Sequence, residues 1–124
     1  SLEWLISAGL IYKVEKIERP YIPITTYGDV TNFKIYFSDV GLLRMMSKFP
    51  ADVVFDTSSL TADMRGILSE NFVLTELISN DYFRSFFWKS GGIAEVDFII
   101  QEGVDVIPIE VKSSGRIRFR RLAE

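Results

Sequence analysis

The chain has 124 residues, 48% of them hydrophobic and 14% aromatic, enough to bury one compact core at about single-domain size. Cysteine and histidine are both absent, which excludes disulfides, thiolate metal centres and histidine proton shuttles. Any metal must be held by oxygen, which favours Mg²⁺ or Mn²⁺ over zinc or copper.

The formal charge of -3 argues against a broad nucleic-acid-binding surface. No apolar run approaches the roughly 20 residues that span a bilayer, and no secretory signal opens the chain, so the expected compartment is the cytoplasm.

In chain order, "SLEWLISAGLIYKVEKI" predicts a short helix carrying Leu2, Leu5 and Ile6, a break at Gly9, and a strand through Ile11, Val14 and Ile17. Pro20, Pro23 and Gly28 mark "RPYIPITTYGD" as a connector. "FKIYFSDVGLLRMMSKF" predicts a strand at Phe33 to Phe37, a cap at Ser38 or Asp39 and a helix to about Lys48. A long helix follows from about Ala62 to Ser79, with Thr61 as its cap. Its expected apolar surface is Ile67, Leu68, Phe72, Leu74, Leu77 and Ile78.

Three strands come next, "YFRSFFWK", "AEVDFII" and "VDVIPIEVK", the last two joined by a turn around Glu102-Gly103. "SGRIRFRRLAE" reads as a turn and the start of another helix. Five basic residues, Lys112, Arg116, Arg118, Arg120 and Arg121, cluster here without an acidic neighbour, a patch suited to a phosphate backbone or to an acidic surface of the protein itself.

Strand alternation places Glu95, Asp97 and Ile99 on one face and Val96, Phe98 and Ile100 on the other. Glu110 and Lys112 likewise share a face, opposite Ile107, Ile109 and Val111. A turn with two or four unpaired residues brings Asp97 to the same side as Glu110 and Lys112 and gathers Val96, Phe98, Ile100, Ile107, Ile109 and Val111 into one buried face. Neighbouring carboxylates repel unless a cation sits between them. An Mg²⁺ or Mn²⁺ ion on Asp97, Glu110 and the Val111 carbonyl would relieve that repulsion, and Lys112 would orient or deprotonate a water that attacks phosphorus.

Asp97 followed thirteen residues later by Glu110-Val111-Lys112 resembles the signature of PD-(D/E)XK nucleases, the restriction-endonuclease-like superfamily. The blocks "KIYFSDVGLL", "GILSENFVLTEL", "EVDFII" and "PIEVKSS" together are similar to an uncharacterised domain found C-terminal to AAA-type ATPase modules.

The resemblance implies an α/β (α+β) fold with a helix and three-strand core at 61–124, preceded by a helix and strand segment at 1–60 that packs on it. It also implies a Glu from the core helix at the site, Glu70 being preferred to Glu76 because its spacing from Gly66 matches. The core looks truncated at its C-terminus, so the expected context is a fragment of a larger ATPase protein, with an uncovered sheet edge open to self-association. The implied partners are the parent ATPase domain and DNA, the latter through Arg116, Arg118 and Arg120.

Competing readings stay open. Glu110 and Lys112 also read as a plain ion pair on a half-wet sheet. Asp39 reads as a helix cap and Lys34 as structural, while Trp4, Phe83, Phe86, Phe87 and Trp88 read as core and interface rather than base-stacking groups. The functional expectations are a metal-dependent DNA endonuclease, a non-catalytic regulatory module of the ATPase, and a DNA-docking module. The third is weakest, because residues 1–60 set six basic side chains against seven carboxylates.

Overall fold

The structure is a computed structural model and describes residues 2–47, 62–82, 84–91, 94–112 and 117–119. It is a mixed α+β fold on one six-stranded sheet. The strands are β1 (Ile11–Ile17), β2 (Gly28–Phe37), β3 (Phe86–Lys89), β4 (Glu95–Glu102), β5 (Asp105–Val111) and β6 (Ile117–Phe119). Their order across the sheet is β2-β1-β3-β4-β5-β6. Only β1 and β3 run parallel; the other neighbours are antiparallel. The helices are α1 (Leu2–Ser7), α2 (Val40–Ser47) and α3 (Ala62–Ser79). No helix among the described residues is long and apolar enough to cross a membrane.

Local chemistry sets most boundaries. Gly9, at φ +75, turns α1 into β1. Asp39 caps α2, its carboxylate accepting the Gly41 N–H at 2.8 Å. The β4–β5 hairpin closes on Gly103 and Val104, with Glu102 opposite Asp105 and a positive φ at Gly103 alone, the placement a II′ turn requires.

Three expectations need correction. β2 begins at Gly28, five residues before the expected strand, because the connector is spent in a short 3₁₀ turn at Ile24–Tyr27. The stretch after Lys112 includes a strand rather than a helix start: the alternation Arg-Ile-Arg-Phe-Arg has the period of two that β6 uses against β5. That strand also covers the edge of β5 that looked open, leaving β2 and β6 as the edges among the described residues.

The sheet is buried on both faces. Val14, Tyr36, Phe87, Phe98, Ile100 and Ile109 pack with Val73, Leu74 and Leu77 of α3. On the other face Ile17, Ile24, Phe86 and Ile99 form a second cluster, joined by Trp88, Val96 and Val106. The buried residues of β1 therefore recur every third position, Ile11, Val14 and Ile17, because both faces are covered.

In α3 the inward stripe is Glu70, Val73, Leu74 and Leu77, at i, i+3, i+4 and i+7. Ile67 and Phe72, expected on that surface, are 48% and 51% exposed. Trp4, expected in the core or an interface, is exposed too.

Candidate functional site

The site arises where α3 meets the seam between β4 and β5. Phe86 pairs with Ile99 while Trp88 pairs with Val96, so β4 carries one residue more than β3 over this stretch. This bulge breaks the alternation. Val96 packs with Ile99 in the second cluster, and Phe98 and Ile100 stay on the helix face, so Val96 leaves the apolar face expected for it. Asp97, the added residue beside Phe98, turns towards α3.

The pairing of β4 with β5 stops at Phe98 and Ile109. Beyond that point the Val111 N–H donates to Asp97 Oδ2 at 2.9 Å in place of a strand carbonyl. Glu70 meets Asp97 from the inward stripe of α3. The two carboxyls lie close enough to perturb each other, and the Tyr36 hydroxyl is near enough to feel the Glu70 charge.

The electrostatics follow from that crowding. Burial, then the Asp97 charge, pushes the Glu70 carboxyl up to about 7, against an opposing pull from Lys34. Glu70 therefore keeps its proton below neutral pH and loses it as the pH rises through about 7. Burial and the Glu70, Asp97 and Glu95 charges also raise the Tyr36 hydroxyl far above its ordinary range, so it remains a donor.

Lys34 Nζ pairs with Glu95 and sits 4.7 Å from the centre of the Phe87 ring. A cleft of about 400 Å³ opens beside Glu70, lined by Lys34, Tyr36, Leu43, Ile67 and Asn71. Asn71 is buried and clamps α3 to the sheet edge: its amide accepts the Phe37 N–H at 2.9 Å and donates to the Phe37 carbonyl at 2.8 Å.

The expected site residues thus divide. Asp97 and Glu70 come together, and Glu76 is exposed further along α3. Glu110 and Lys112, alternating with the helix-facing Ile109 and Val111, project from the other face. There Lys112 Nζ lies 3.6 Å from Glu110 Oε2, with side chains 53% and 37% exposed.

The common face expected for Asp97, Glu110 and Lys112 is replaced by this split, and its cause is the bulge. Among the described residues no group of three or more acidic side chains could hold a metal ion. Arg118 stands opposite Glu110 in the β5–β6 register, while Arg116 and Arg120, like Phe83 and Thr61, lie outside the described residues. Sequence reasoning missed Lys34, Tyr36 and Glu95 as neighbours of the site; the signal available was Lys34-x-Tyr36 on one strand face and Glu95 just ahead of Asp97.

Two family matches divide the chain. Residues 1–53 match a domain of unknown function (DUF8612), and residues 65–124 match another domain of unknown function (DUF4143). No curated protein and no solved structure matches. The chain is therefore similar to two uncharacterised domains, the second match beginning within the first turn of α3, although their strands build a single sheet.

Proposed function

We propose that the chain is a metal-dependent phosphodiesterase domain of the restriction-endonuclease-like type, acting on DNA within a cytoplasmic ATPase-associated protein. One observation supports the reading: Glu70 approaches Asp97 closely enough to feel its charge, beside the Val111 N–H that Asp97 accepts. A pair of carboxylates in a half-buried seam suits a hard divalent cation such as Mg²⁺ or Mn²⁺.

The fit differs from the sequence expectation. Glu70 and Asp97 supply the carboxylates, and the Val111 carbonyl, on the same side of its strand as the N–H that Asp97 accepts, faces the same seam. Glu110 stands on the other face. Such an ion, when bound, activates water for attack on phosphorus. The resemblance of Asp97 and Glu110-Val111-Lys112 to the PD-(D/E)XK signature supports the substrate class.

A second reading, a non-catalytic partner of the ATPase that keeps this fold, draws on one specific observation. Glu110 and Lys112 satisfy each other on the face away from Asp97.

Thermal melts with millimolar Mn²⁺, run beside plasmid and oligonucleotide cleavage, test the choice. A cation that binds only the folded state at ten times its Kd raises stability by about 1.4 kcal/mol. The phosphodiesterase reading expects that rise in wild type, its loss in Asp97→Asn, and Mn²⁺-dependent cleavage. Melts unmoved by Mn²⁺ and DNA left intact would hand the protein to the second reading.

A further inference from the structure

The pair of carboxylates needs a cation on the substrate side, and Lys112 is on the wrong face to provide it. Lys34 is placed to do so. It lies on the helix face of β2, two residues from Tyr36, and lines the cleft together with Glu70. Glu95 and the Phe87 ring fix its ammonium from two sides. An ammonium has three donors and Glu95 engages one of its hydrogens, so donors remain for the cleft.

Charge balance points the same way. Glu70, Asp97 and Glu95 against Lys34 alone make the seam net negative and would repel a phosphate. A divalent cation on Glu70 and Asp97 neutralises that pair, and the Lys34–Glu95 pair is neutral in itself. Phosphate then meets an ammonium with free donors at the cleft mouth. The cleft, about 400 Å³ with apolar Leu43 and Ile67 in its wall, lies in the range of small-ligand sites and has room for one nucleotide unit.

We propose that Lys34 is the phosphate-contacting residue of this site, drawing a phosphodiester into the cleft between β2 and α3. The assignment rests on the phosphodiesterase reading for its cation and differs from the sequence expectation, which gave the lysine role to Lys112.

Fluorescence anisotropy with labelled eight-nucleotide oligothymidylate, in Ca²⁺ to permit binding without turnover, tests it on the full chain. Lys34→Ala is expected to weaken binding tenfold or more, Lys34→Arg to stay within threefold of wild type, and Lys112→Ala likewise. Glu95→Gln, which frees the ammonium from its competitor, should tighten binding severalfold and serves as an independent variant should Lys34→Ala fold poorly.

Affinity unchanged in Lys34→Ala, lost in Lys112→Ala, weakened in Glu95→Gln, or absent in wild type would overturn the assignment. Failure of the parent reading is distinguishable. Without an Mn²⁺-induced rise in Tm the cation site is gone and the Lys34 assignment falls with it, whereas a rise in Tm with oligonucleotide binding that ignores Lys34 overturns the assignment alone.

Discussion

Replacing Glu70 by Gln isolates the cost of crowding two carboxyls at the β4–β5 seam. The folded chain raises the Glu70 carboxyl from 4.5 to about 7, first through burial and then through Asp97. A raised acid favours the protonated folded state, so its contribution is fully present below about pH 4.5 and is lost as pH rises through about 7. The shift corresponds to roughly 3 kcal/mol, and partial exposure of the group discounts this to about 1–2 kcal/mol.

Glutamine keeps the shape, donates to Asp97 and does not titrate. Urea unfolding followed by tryptophan fluorescence at pH 4.5, 6, 7 and 8 reads the difference. The variant and wild type should agree within about 0.5 kcal/mol at pH 4.5, and the variant should lead by about 1–2 kcal/mol at pH 8, a midpoint gain of roughly 1 M urea. A gap that stays constant across the series, or a variant less stable at pH 8, would mean that Lys34 already neutralises an ionised Glu70 and would refute the reasoning.

Asn71→Ala removes both partners of the Phe37 backbone at a buried position and should cost about 2–3 kcal/mol, measured by urea unfolding. Gly28→Ala should cost about 1 kcal/mol in the same assay, because a Cβ there would sit 3.1 Å from Cε1 of the fully buried Phe86 ring. Glu110→Gln should change stability by less than about 1 kcal/mol, since its partner Lys112 is half exposed, and should leave any Mn²⁺-induced rise in Tm intact. A lost Mn²⁺ response in that variant would return Glu110 to the metal site.

The pattern of apolar residues carried α3 to its observed ends, and the alternation in β4 and β5 together with Gly103 carried their hairpin to its register. Both signals are local: a helix stripe and a two-residue turn are written within twenty positions. The extent of β2 was not legible in this way, because Gly28 and Asp29 owe their strand geometry to β1 rather than to their own composition. The early pairing of Gly28 with Ile17 and Asp29 with Lys16 is a tertiary fact.

The site failed to read through for a sharper reason. Strict alternation assigns Asp97 to the face of Ile99, and one surplus residue in β4 against β3 reverses that assignment without leaving a glycine or proline to announce it. The same reversal explains why Glu70 meets Asp97 and Lys112 does not. Glu70 sits on a helix stripe whose period the bulge does not touch, so its meeting with Asp97 survives. Lys112 depends on β4 and β5 keeping one parity through Asp97, and there the parity changes. A deletion that restored the β4 register, removing Asp97, would therefore erase the carboxyl pair while leaving the Glu110–Lys112 pair in place, which makes the bulge itself the element on which the proposed chemistry turns.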